Sequence, residues 1–483
     1  MDRSDSENLS HPSSEPPWEE GSREEPRQDL AGDDDWDADD VPRRPWGQYF
    51  LLALLGACLT GGSTYYWQRI IPAQQADAEL EQARGLLTKE KFADAERLAL
   101  HAAQLNPRDP RVWIVAGEAA IRDGRPAAAI PTYQQAIQAS QSNPEAGRIA
   151  HRGLAEAHFQ AGHWTESERL LRERMAAPPP DPLAIVQLSR LLNLTGRRWE
   201  SIPHLLEQIR YGKADLQDLL LCADEERLVD QQSWLKAWAR LHPDDPLIQM
   251  GLARLEEAAD KPAAALPRLK QIVAQNPDLT EAQSRLGGIL LQLEPESWEA
   301  WHRALPKAAE EHPQIWVVRG QRAERGRADS AAARCYWEAL RRDSEHRLAN
   351  ERLRQCLIRL NRPADAEPFG QRSDQLQHLA GLLNDISQRP LEKPAYQQVA
   401  MLLYALGRSV EAYGWAGYGM QSESDAEWPH LLMETLQNQG TGPKSPRTLE
   451  HKQPALQIDL SGLPLPDWSR LEPLLPVSAP AAS

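Results

Sequence analysis

The chain has 483 residues, room for about three ordinary domains. A net charge of −16 argues against a nucleic-acid binder, which needs a basic face. The four cysteines, Cys58, Cys222, Cys335 and Cys356, have no paired spacing and form no CxxC, which argues against a disulfide framework, a zinc ribbon or a thioredoxin-type site.

Residues 1–46 hold 15 Asp and Glu against 5 Arg, so −10 of the charge lies in this tail. It offers no apolar periodicity to bury and is expected to be disordered. Trp18, Trp36 and Trp46 are either docking aromatics or incidental residues of a solubilising tail.

Gly47 to Trp67 contains no charged residue. At 1.5 Å per residue a helix of that length reaches about 30 Å, the thickness of a bilayer core. Tyr49, Tyr65, Tyr66 and Trp67 sit at its ends, as a membrane interface favours. The run is therefore expected to be a transmembrane helix. Arg43 and Arg44 before it outweigh Arg69 after it, which puts the N-terminus in the cytoplasm and the rest of the chain outside a bacterial inner membrane. Leu55-Gly56-Ala57-Cys58 is similar to a bacterial lipobox, a second way to anchor the chain. Ala53, Ala57 and Gly61 form a stripe of small residues through which two such helices would pair as a homodimer.

A linker, 68–75, leads into a repetitive region, 76–426. In the window Pro110 to Asn143, Trp113, Gly117, Gly124, Ala129, Tyr133 and Ala136 hold positions 4, 8, 15, 20, 24 and 27 of a 34-residue frame. In the window Pro313 to His346, Trp316, Gly320, Ala332, Tyr336 and Ala339 hold positions 4, 8, 20, 24 and 27. Small residues at 8, 20 and 27 let two helices approach, and the large ones at 4 and 24 fill the space beside them. Further windows begin at 76, 148, 182, 246 and 393, and weaker ones at 212, 280 and 347. The frame resembles the tetratricopeptide repeat. That resemblance implies an all-α solenoid of about ten helical hairpins with a concave, partner-binding face.

Beyond 426 the pattern stops, and 427–483 is expected to be a Pro-rich tail or cap. Residues 439–454 read as a linker. The apolar, Pro-interrupted stretch Ala455 to Trp468 is either an extended docking segment for another protein or a cap on the last hairpin.

There is no GxSxG, P-loop, GxGxxG or HExxH, so no enzymatic activity, cofactor or metal is expected. His151, His158 and His163 lie close in sequence, but their spacing puts them on different turns. Cys335 and Cys356 fall on helices expected to pack together, as buried thiols or as a disulfide. By the resemblance, first-helix positions 2, 5, 9, 12 and 13 line the concave face. They include Arg84, Arg122, Arg152, Phe159, Arg190, Arg254, Arg325 and Arg359. Such arginines beside apolar residues suit an extended peptide with acidic groups. The competing expectation is that Glu118, Glu156, Glu257 and Glu324 pair with them along the helices. The function expected is a membrane-anchored scaffold that binds a protein or peptide partner. The alternative is a non-catalytic accessory subunit of a membrane-bound enzyme or of an envelope or cytochrome assembly machine.

Overall fold

The computed structural model describes residues 46–178, 181–223, 232–388, 394–422, 425–439, 453–468 and 470–471. Among them every regular element is helical. The acidic tail expected over 1–46 lies outside the described residues except for Trp46. The chain divides into two units, Met1–Tyr66 and Trp67–Ser483.

The first unit contributes α1 (Trp46–Tyr65). The charge-free run does form a helix, but the expected membrane span finds no support in it. Among the described residues no helix is both long and apolar enough to cross a membrane. Gln48, Thr60, Ser63 and Thr64 dilute the apolar residues of α1. Thr60 and Thr64 also turn their hydroxyls back to the carbonyls of Gly56 and Thr60, at 2.8 and 2.7 Å. Pairing of two membrane helices through Ala53, Ala57 and Gly61 loses its basis with the span.

The second unit is an array of antiparallel helical hairpins. In order they are α2 (Ile71–Thr88) with α3 (Phe92–Leu105), α4 (Pro110–Arg122) with α5 (Pro126–Ala139), α6 (Pro144–Gln160) with α7 (Trp164–Ala176), and α8 (Pro182–Leu194) with α9 (Arg198–Arg210). Two short helices interrupt the series, α10 (Leu216–Ala223) and α11 (Gln232–Leu241). It resumes with α12 (Pro246–Ala258) and α13 (Pro262–Gln275), then α14 (Thr280–Leu293) and α15 (Pro295–Arg303). There follow α16 (Pro313–Arg325) with α17 (Asp329–Arg342), α18 (Arg347–Arg359) with α19 (Pro363–Gln388), and α20 (Pro394–Ala405) with α21 (Ser409–Ser422). Beyond the expected end of the array, α22 (Trp428–Asn438) buries Leu432 and Leu436 in the last core.

Local chemistry sets where these helices start and turn. Asp109, Asn143, Asp181 and Asp245 each cap a first helix by accepting from its backbone N–H groups, and a proline follows each of them. Proline fits there because the first helical N–H has no partner to lose. Between the helices, one residue adopts a left-handed conformation at position 15 of the frame. It is Gly124, Gly162, Gly196 or Gly407 in some hairpins and Glu90, Asp260, Arg327 or Asn361 in others. The turn thus keeps its geometry even where a side chain costs about 1–2 kcal/mol.

The signature residues do the packing that the frame implies. The Tyr133 ring lies between Gly117 of its own hairpin and Gly153 of the next. A β-carbon added at those glycines would come within 2.7 and 2.1 Å of the ring. Gly320 and Tyr336 repeat the first of these contacts, at 2.6 Å. Tyr336 then donates its hydroxyl to Glu324, at 2.5 Å.

Contacts distant in sequence close the array. Leu219, Leu220 and Leu221 of α10 share a core with Leu379 and Leu383 of α19, Val399 of α20 and Trp415 of α21. Arg408 donates to the Cys222 carbonyl at 3.1 Å and to the Glu411 carboxylate at 2.7 and 2.6 Å. Nearer the middle, Arg254 reaches the Asn193 carbonyl at 2.8 Å, and Arg285 reaches that of Gly196 at 3.1 Å.

One buried cluster sets an acid limit. Arg285 lies 2.9 Å from Glu281, and His312 lies 3.0 Å from it on the other side. Burial alone would raise the Glu281 carboxyl, but Arg285 and the His312 hydrogen bond override it and pull it down to about 2. Its folded value is thus below the ordinary one, so the stabilisation is present above the ordinary carboxylate range. It is lost as pH falls from about 4.5 towards 2. Stability followed from pH 6 downwards should therefore fall less steeply for Glu281→Gln than for the parent chain. Equal slopes would remove Glu281 from the account.

Candidate functional site

The eight groove positions read from the sequence do not form a row of open cations. Arg84 pairs with Glu81 at 2.7 Å and Arg122 with Glu118 at 2.6 Å, both along their own helices. Arg152 grips the Asp181 carboxylate with one nitrogen, at 3.0 and 2.8 Å, and so ties α6 to the start of α8. Arg254 is half-buried, and desolvation, with Arg285 nearby, lowers its guanidinium to about 10. Arg325 donates to the Leu291 carbonyl, which ties α16 to α14. Arg359 pairs with Glu324 at 2.6 Å and Asp329 at 2.8 Å, which ties α18 to the preceding hairpin. Phe159 is buried and stacked on Trp164, with ring centroids 5.2 Å apart. Arg190 is exposed, as Arg84, Arg122, Arg325 and Arg359 also are, and lies 4.9 Å above the Phe159 ring. Most of these arginines stitch helices together, because a guanidinium can satisfy a carboxylate or a helix-end carbonyl across a hairpin boundary.

A cleft with a volume of about 420 Å³ lies elsewhere. Arg172, Arg197, Trp199 and Glu200 form one wall. Asp278, Thr280, Glu311 and His312, from the segments leading into α14 and α16, form the other. The first wall is an ion-pair lattice. Arg172 bridges Glu168 and Glu200 at 2.7 and 2.6 Å. Arg197 bridges the same two carboxylates and is itself buried. Burial would raise the Glu200 carboxyl, but Arg197 and Arg172 hold it below the ordinary carboxylate range. The second wall presents exposed carboxylates at Asp278 and Glu311. Trp199 also lines a second cleft, of about 130 Å³, with Ile202, Leu376 and Ala380 among its apolar lining. One indole therefore serves two recesses. The larger recess falls in the size range of ligand sites, and its polar walls suit a peptide backbone.

The frame did not point to Trp199, which sits on a second helix where the repeat pattern asks for no aromatic. The three sequence histidines are also regrouped. His151 bonds to the Gly147 carbonyl at 2.8 Å. His158 lies 3.4 Å from His163, and the ring of His242 stands edge-on to His163. Among the described residues no group of three or more His, Cys, Asp and Glu side chains is placed to hold a metal ion. Cys222, Cys335 and Cys356 are buried free thiols, and burial pushes Cys335 up to about 12. Such thiols are poor nucleophiles.

The segment 453–468 lies against the array. The Trp337 indole of α17 donates to the carbonyls of Ala455 and Ile458, at 3.1 and 2.8 Å. Arg334 of α17 donates to the carbonyls of Ser461 and Leu463.

Two tetratricopeptide repeat models match the chain, over residues 80–144 and 120–187. No curated protein matches it. Among solved structures, a tetratricopeptide repeat protein from Parabacteroides merdae ATCC 43184 is similar at 12% identity, covering 59% of this chain and 99% of its own, with a TM-score of 0.23. Yeast Tom70 is similar at 15% identity, covering 75% of this chain and 80% of its own, with a TM-score of 0.25.

Proposed function

We propose that this chain, which carries tetratricopeptide repeats over residues 80–187, is a protein-binding scaffold without chemistry of its own. Repeats of this type generally mediate protein–protein interaction. The partner enters as an extended segment at the Trp199 cleft. It places an apolar side chain on the indole and a basic one towards Asp278 and Glu311. Arg190 over Phe159 offers a separate contact for an acidic or aromatic group.

The observation that carries this reading is the cleft itself, about 420 Å³ and open, with charged groups on both walls and one aromatic, Trp199, among its lining. An aromatic anchor ringed by polar groups is the composition of an interface hot spot. The experiment is photocrosslinking from position 199 of the full chain, in the cells that make it. An adduct with a separate protein is expected at 199 and not at the exposed Tyr211, which lies beyond the cleft.

A further inference from the structure

Residues 453–468 are held as a bound peptide is held. After the short helix α23 (Pro454–Gln457), the segment runs across the second helices of successive hairpins. Ala455 and Leu460 are buried with Phe369 of α19 and with Trp337, Ala331 and Leu340 of α17. Farther on, Trp468 packs on Trp298 and His302 of α15, with centroid separations of 5.3 and 4.8 Å. Between these anchors the contacts go to main-chain carbonyls, from the Trp337 indole and the Arg334 guanidinium. Both donors are also held by contacts within α17. Arg334 and Arg341 lie over the Trp337 ring at 5.3 and 4.9 Å, and Arg334 is paired with Glu338 at 2.9 Å. The outer side of the segment is not sealed: Leu456 and Leu465 are exposed.

We propose that this face of α15, α17 and α19 is a peptide-binding groove, filled in cis by residues 453–468. The occupant it admits in trans is an extended, Leu- and Pro-rich segment of another protein that carries a tryptophan. The chain's own segment defines that chemistry. Carbonyl-directed donors accept any extended backbone, and selectivity comes from two anchors, Leu460 and Trp468, eight positions apart. A tethered segment competes at an effective concentration on the order of millimolar. A second copy of this chain brings the same segment and gains nothing against it. Displacement therefore requires a foreign segment with stronger anchors. This surface is separate from the Trp199 cleft, so neither stands or falls with the other.

The test uses a fluorescent synthetic peptide of residues 453–468 and the full chain. In Trp468→Ala the internal segment is loosened, and the peptide should bind about tenfold or more tightly than to the parent chain. Adding Arg334→Ala to that variant should abolish the gain, because the groove loses the donor to the Ser461 and Leu463 carbonyls and keeps only the Trp337 indole. Arg334 is on the flank of α17, and helicity and melting temperature serve as the folding control. Equal binding to the parent and Trp468→Ala chains would overturn the proposal, as would a gain that survives Arg334→Ala. Dimerisation of the parent chain at micromolar concentration would assign the groove to a second copy and overturn the foreign occupant.

Discussion

Arg408→Ala should lower the stability of the chain by about 3–5 kcal/mol, read from the urea midpoint by tryptophan fluorescence. The Arg408 side chain is about 10% exposed and pairs with Glu411 at 2.6 Å, with Glu345 3.8 Å away. It also donates to the Cys222 carbonyl across 186 positions of sequence. Burial alone would lower the guanidinium, but Glu411 and Glu345 raise it above its ordinary value, so it stays charged. Removal of the cation would leave the Glu411 carboxylate without its ion-pair partner in a low-dielectric seam, while Glu345 keeps Arg372. That uncompensated charge, rather than the lost attraction, sets the size of the effect. Arg408→Lys should recover only part of the loss, since an ammonium cannot grip Glu411 with two nitrogens and reach Cys222 as well. A midpoint for Arg408→Ala equal to that of the parent chain would mean that the seam between α10 and α21 contributes nothing to folding.

The second large effect is expected at Gly153. Alanine there puts a methyl group 2.1 Å from Cε1 of Tyr133. On its other edge the ring lies close against Gly117, where even an added β-carbon would stand only 2.7 Å away, so its room to retreat is small. Overpacking of this kind costs about 1–3 kcal/mol. A double-mutant cycle isolates the cause. Tyr133→Ala alone should cost about 3–5 kcal/mol through the cavity it leaves. In that background Gly153→Ala should cost little, a coupling of about 1 kcal/mol or more. Additive losses would show that Gly153 is required for some other reason than the Tyr133 ring.

What the sequence made legible is what neighbouring residues determine. Trp113, Gly117, Ala129, Tyr133 and Ala136 announced their hairpin because each acts on a helix at most one hairpin away. The left-handed turn went further than its glycines suggested, since Glu90 and Arg327 adopt the same conformation at the same position. The closure of the array was not legible. Arg408 and Cys222 belong to no common period, and nothing near either residue reports the other. The partners of the groove arginines were hidden for a related reason. Their helix positions were those that the family resemblance assigns to a concave face. However, Arg152, Arg325 and Arg359 are long enough to find acceptors on the neighbouring hairpin, which a helix position does not reveal. The apolar run before the repeats was legible as a helix, but its threonines, serine and glutamine leave α1 short of the hydropathy of a span, so absence of charge alone does not support one.

The central claim is that a separate protein occupies the cleft at Trp199, and crosslinking from that position tests it most directly. With a photoreactive residue at 199, the full chain should form one dominant adduct with a separate protein. The adduct should weaken when Asp278 and Glu311 are both changed to lysine, while the melting temperature stays unchanged. A photoreactive residue at Tyr211 should give none. Adducts at 199 no stronger than those at 211, or an adduct indifferent to the two charge reversals, would contradict the account.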